Sequence, residues 1–230
     1  MEGTLEKEVS SMEDLKRWGF IFGISLLSLI FSVASIFTPW WRITYTTESQ
    51  ITGDVSVRVE YGLFQTVSAS KATKVNKTYT SSTDRNVSFA NLTGNDADKN
   101  ALSSVFSNTL ILIIVSSALA ALTAVLIFVS GFRKPVFISY AKFTGITAAI
   151  LLMVTSFYFV VQMPPVVSKL TNVIPAEISS LSGNVISEFW GSVKQWIWGP
   201  AFGWFLAFTA FLLNAGTSTL VNTLYRQKVK

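Results

Sequence analysis

Few residues in this chain are suited to covalent chemistry. There is no histidine and no cysteine. That excludes imidazole general bases, thiolate nucleophiles, disulfides, and zinc or haem held by either ligand. What remains is 13 carboxylates, 18 lysines and arginines, tyrosines and hydroxyls. Most of the carboxylates fall in an acidic N-terminal segment, on the polar side of two alternating stretches, and in a polar stretch that follows them. No pair has a spacing that demands acid/base work, and glycine-rich phosphate loops are absent. The reading is non-enzymatic: no catalytic residue, no cofactor, no metal and no evident small-molecule substrate.

Two kinds of polar site are legible. The first is three Asn-x-Ser/Thr sequons, at Asn76, Asn86 and Asn91, all in the polar stretch 66–100 and nowhere else. On an exterior loop they are glycan acceptors; an unmodified hairpin with a polar tip is the alternative. The second is a set of polar groups inside apolar runs: Ser116, Ser117, Thr155, Asn214 and Lys142. A transporter or proton relay carries ionisable groups at mid-membrane. Here Asn214 reads as interhelical glue, and Lys142 as a cation whose stem reaches back to the interface.

The elements that position these groups are four apolar spans. From Gly19 to Thr38 there is no charged residue, and about 20 apolar residues cross a hydrocarbon core of about 30 Å. Trp18 precedes this run and Trp40-Trp41 follow it, as in an interfacial aromatic belt. The chain divides into an N-terminal segment 1–17, spans at 18–39, 109–130, 136–162 and 199–225, a turn at 131–135, loops at 40–108 and 163–198, and a tail at 226–230. Charged residues make up only 13% of the chain, about half the share in soluble domains, so the class is an integral membrane protein. The net charge of +5 lies at span edges and across the large loop rather than in one patch, which argues against nucleic acid.

Lys16/Arg17, Arg133/Lys134 and Arg226/Lys228/Lys230 flank the spans on one side. The positive-inside rule then places both termini in the cytoplasm and both larger loops outside. The N-terminus is too long and too acidic for a cleaved signal peptide. Ser10-Ser11-Met12-Glu13 carries capping-box spacing for a helix start near Ser11; the charges there form a solvated face or a docking surface for a cytoplasmic partner. Small residues at 116–121 suit close helix packing. Pro164-Pro165 is expected to end the third helix.

In the first loop, 41–46 and 55–61 alternate apolar and polar residues and predict two antiparallel strands that need a third strand or another surface. In the second loop, apolar residues spaced three to five apart predict short amphipathic helices. Trp190, Trp196, Trp198 and Trp204 mark the return to the membrane, as an aromatic belt or a partner-binding hot spot. The fold class is an all-α four-helix transmembrane bundle with a small antiparallel β-sheet in the first extracellular loop.

Trp41 after the first span, Gly62-Leu63-Phe64 about 20 residues later, and Gly203-Trp204 opening the fourth span carry a resemblance. With four spans and a long β-rich first outer loop, the chain resembles the claudin and peripheral-myelin-protein-like tetraspan superfamily. Phe64 stands where that family has Trp, and its paired cysteines are absent. The resemblance implies plasma-membrane localisation and structural or cell–cell assembly through the outer loops, with the sheet resting on the bundle. The expected partners are the lipid bilayer and either further copies of the chain or another membrane protein. The alternatives are an accessory subunit of a respiratory or transport complex, and an oligomeric channel.

Overall fold

A computed structural model describes residues 2–47, 54–75, 78–88, 96–132, 137–170, 189–193 and 196–229. In chain order the elements are α1 (Glu2–Phe37), β1 (Pro39–Thr47), β2 (Asp54–Gly62), β3 (Thr66–Val75), β4 (Thr78–Ser88), α2 (Asp96–Phe132), α3 (Phe137–Leu170), β5 (Gly191–Val193), β6 (Trp196–Pro200) and α4 (Phe202–Val229). Among the described residues, four helices are long and apolar enough to cross a membrane, over Leu15–Phe37, Asp96–Gly131, Phe137–Val166 and Phe202–Leu224. The strands form one six-stranded antiparallel sheet in the order β4-β3-β2-β1-β6-β5.

The helices exceed the apolar runs that announce them. α1 passes straight through Ser11 and begins at Glu2. α2 begins at Asp96, with Asp96 and Asp98 in its first turn, where carboxylates complement the helix dipole. α3 continues through Pro164-Pro165 to Leu170 rather than stopping there. The pair removes two backbone donors, but a helix already propagated over seven turns tolerates such a defect as a local kink point. α1 does end as its sequence dictates. Pro39 disfavours helical geometry at Thr38, and the Thr38 hydroxyl donates to the carbonyls of Ala34 (3.1 Å) and Ser35 (3.3 Å), which the helix end leaves open.

The chain forms two compact units. The first comprises Met1–Val33, Leu112–Val154 and Leu206–Lys230. Its core gathers Trp18, Ile21, Ile127, Ile138, Ala141 and Val221. Trp18 is thus buried among protein side chains and does not face an interface, because Gly131 lets α2 approach the indole closely. At Gly145, α2, α3 and α4 converge: a Cβ there would lie 3.2 Å from Thr123 Cγ2 and 2.5 Å from Ser218 Oγ. Thr123 donates to Thr144 Oγ1 at 3.0 Å or to Leu119 O at 2.8 Å. Other helix hydroxyls, such as Ser116, Ser130, Thr217 and Ser218, donate to the carbonyl four residues back, which satisfies a hydroxyl away from water. The outward faces stay apolar, with Phe20, Ile30, Val125, Phe143 and Leu212 exposed.

The second unit comprises Ala34–Ile111 and Thr155–Phe205. Alternation decides the two faces of its sheet. Trp41, Ile43, Val57, Val59, Tyr61, Val67 and Trp198 are buried on one face, while Arg42, Arg58 and Ile197 stand exposed on the other. The third strand required by the pattern is β3. β5 and β6, from the second loop, add to β1. Strands thus occupy 191–193 and 196–200, where the tryptophan spacing predicts a return to the membrane. The amphipathic pattern of 171–188 lies outside the described residues.

Candidate functional site

The second unit is held by rings. Trp40 and Trp41 follow the α1 terminus, and both are fully buried instead of lying in an aromatic belt. The Trp40 Nε1–H donates to Ser35 O at 2.7 Å, and its ring meets Phe159 edge-on at 5.2 Å. Phe159 in turn meets Phe106 at 5.4 Å and Phe189 at 6.1 Å, both nearly perpendicular. Trp41 packs on Phe189 at 5.1 Å and Tyr61 on Phe106 at 6.4 Å. Edge-to-face pairs at these separations contribute about 0.5–1.5 kcal/mol each beyond area burial. Burial pushes the Tyr61 phenol well above its ordinary value of 10.0, because ionisation there would place a charge in an apolar core.

The residues singled out by spacing fall into two groups. Trp41 sits directly across from Tyr61, and Pro39 across from Gly62, with an irregularity in β1 between them. The two halves of the tryptophan and Gly-Leu-Phe pattern are therefore cross-strand neighbours. Gly62 opens the β2–β3 turn, closed by Gln65 N donating to Gly62 O at 3.1 Å. Gln65 adopts a left-handed φ of 58°, and its side chain donates to Ser107 Oγ on α2 at 2.6 Å. Leu63 points into the core, and Phe64 points out, 5.8 Å from the Phe37 ring.

The later tryptophans do not form one patch. Trp198 is buried over Gly191, where a Cβ would collide with its ring. Trp204 donates to Ser156 O at 3.1 Å and packs on Phe189. Trp196 lies in β6 opposite Tyr45 and Val193. Trp190 is 63% exposed, its ring beside Gly199 on the outward face. Of the sequons, Asn86 lies in β4 opposite Ser68; Asn76 and Asn91 lie outside the described residues.

The outward face joins charge to a small apolar spot. Arg58 pairs with Glu60, and Arg42 and Thr44 stand across from Glu60 and Arg58. Ile197, 56% exposed, lies across from Thr44. Such a surface offers a binder both charge and a small apolar contact. Among the described residues, no group of three or more Asp or Glu could hold a metal ion.

Within the first unit, Asn214 is fully buried and its Nδ2 donates to Ser28 Oγ at 2.8 Å, while Ser28 Oγ donates to Ala210 O at 2.8 Å. The interhelical bond expected of Asn214 is present. Sequence reasoning missed its partner and the stripe it belongs to, Ser25, Ser28, Ser32 and Ser35, all fully buried on one face of α1. Their spacing of three and four was the available signal. Ser116 bonds its own helix, Ser117 is buried with no partner among the described residues, and Thr155 is buried.

No protein-family model matches the chain, and no curated protein sequence matches it.

Proposed function

We propose that the chain is a non-enzymatic, multi-pass plasma-membrane protein that acts through assembly of its non-cytoplasmic surface. The observation that carries this reading is the six-stranded sheet, built from both long inter-helix segments. One face is sealed by tryptophans, leaving the other face and the β4 and β5 edges as the binding surface. Strand edges present unpaired N–H and C=O groups and readily template pairing with a further strand. The resemblance to claudin-like tetraspans supports the same reading. So do the apolar outward faces of the helices, which belong in lipid. The cationic flanks at Lys16/Arg17, Arg133/Lys134 and the C-terminus favour cytoplasmic termini. Asn76, Asn86 and Asn91 then face the exterior as glycan acceptors, and an endoglycosidase mobility shift lost on Asn→Gln substitution tests them.

The test of assembly is native mass spectrometry and cross-linking of the tagged full chain from mild detergent. Homo-oligomers weakened by Trp190→Ala and Ile197→Lys support self-assembly. A stoichiometric foreign membrane protein points instead to an accessory subunit, and single-channel conductance in planar bilayers to an oligomeric pore. A monomer at every concentration overturns the proposal.

A further inference from the structure

A groove of about 330 Å³ runs between α3 and α4 inside the first unit. That lies at the lower end of small-ligand sites. Its lining follows two stripes at helical spacing. On α3 it descends from Lys142 through Ile150 to Met153, and on α4 from Asn222 up to Phe211. The antiparallel stripes place Lys142 and Asn222 at one end and Met153 and Phe211 at the other. From Lys142 to Met153 is 11 residues, or roughly 16 Å of helix at 1.5 Å per residue.

That length selects the occupant. A partner transmembrane helix would press along the whole hydrocarbon thickness of roughly 30 Å. The groove covers about half of it, the depth of one leaflet. The charge selects it further. Lys142 lies five residues into α3, close enough for its stem to carry the ammonium to the headgroup level. No acidic residue occurs from 15 to 47, from 99 to 170 or from 190 to 229, so the spans offer this cation no carboxylate. The Phe143 ring lies 6.0 Å from its Nζ, at the outer limit of a cation–π contact. Thr219 and Ser218 spend their hydroxyl hydrogens on Ala215 O and Asn214 O, which leaves Lys142 and the Asn222 amide as donors toward an anion.

We propose that this groove holds an anionic phospholipid, with its phosphate on Lys142 and Asn222 and one acyl chain laid against Ile150, Met153 and Phe211. The inference rests on the membrane reading above but not on assembly. One basic side chain at the surface favours an anionic lipid by about fivefold. The test titrates the full-length protein in mild detergent with phosphatidylglycerol and with phosphatidylcholine of the same chains, counting adducts by native mass spectrometry. The wild type retains one phosphatidylglycerol at least about fivefold more strongly than phosphatidylcholine. Lys142→Gln loses that preference, Lys142→Arg keeps it, and Ala215→Phe, which fills the groove, loses both adducts. Equal retention of the two lipids by the wild type overturns the proposal, as does a preference that survives Lys142→Gln. So does a dimer that Ala215→Phe abolishes whichever lipid is present. The same spectra report oligomer size, so a monomer that keeps the lipid preference sinks the assembly reading alone.

Discussion

Gly203 gives the sharpest test of how the second unit is held. It is the second residue of α4, and a Cβ built on it would lie 2.6 Å from Trp40 Cδ1, 2.8 Å from Trp40 Nε1 and 2.8 Å from Pro39 O. None of these can yield as the free end of a flexible chain. The indole is fully buried and anchored by its 2.7 Å bond to Ser35 O, and Pro39 O belongs to the backbone. The adjacent Ala201 N–H donates to Trp40 O at 2.9 Å, which fixes the approach from the other side. Gly203→Ala must therefore move the ring or part the strand from the helix. Overpacking costs about 1–3 kcal/mol, and weakening the indole bond adds about 1 kcal/mol. Against this stands the helix preference of Ala over Gly, at most about 1 kcal/mol. The net loss is about 1–3 kcal/mol, or roughly 2–12 °C in Tm for a chain of this size. Gly216→Ala is the matched control on the same helix, since nothing lies within 4 Å of its Cβ position; it should raise Tm or leave it unchanged. The assay is thermal unfolding of both variants in one detergent. A Gly203→Ala protein as stable as Gly216→Ala would show that the helix–tryptophan contact does not organise the unit.

Three further outcomes follow from other contacts. Trp41 Nε1 is buried without a partner among the described residues, whereas Trp40 Nε1 is bonded; Trp40→Phe should cost about 1–2 kcal/mol more than Trp41→Phe in thermal unfolding, and equal losses would remove the bond's role. A double-mutant cycle of Asn214→Leu with Ser28→Ala should give a coupling of about 0.6 kcal/mol, at most about 1.7 kcal/mol, and zero coupling would contradict the bridge. The Tyr61 phenol is raised by burial above 10.0, so the folded chain holds that proton more tightly than the unfolded one. Its contribution is complete below about pH 10 and declines above it by up to about 1.4 kcal/mol per pH unit. Wild type should therefore lose stability relative to Tyr61→Phe as pH rises above about 10, and parallel curves would refute it.

The helices were legible because charge is absent over a bilayer's width, a signal that needs no neighbour to interpret. β1 and β2 were legible because each buries one face, so Ile43, Val57 and Val59 alternate with Arg42 and Arg58. β3 and β4 carry mostly Thr, Ser, Lys and Asn, and their pairing rests on backbone bonds that composition does not advertise. β6 was hidden for the opposite reason. Trp-Ile-Trp-Gly-Pro is short, and its partner β1 lies about 150 residues earlier in the chain. Phe159 and the three rings packed on it, Trp40, Phe106 and Phe189, come from four separate segments, so no local window could assemble them. Trp18 misled because an indole at a span end looks the same in sequence whether lipid or protein covers it.

The position of β1 between β2 and β6 sets an order of events during synthesis. β1 leaves α1 directly, and β6 leads directly into α4. The first four strands can pair as soon as they emerge, yet β1 keeps one flank of amides and carbonyls bare until the ribosome has made residue 200. A nascent or truncated chain that ends after α3 therefore carries a sticky ribbon beside Ile43, and only pairing with β6 retires it.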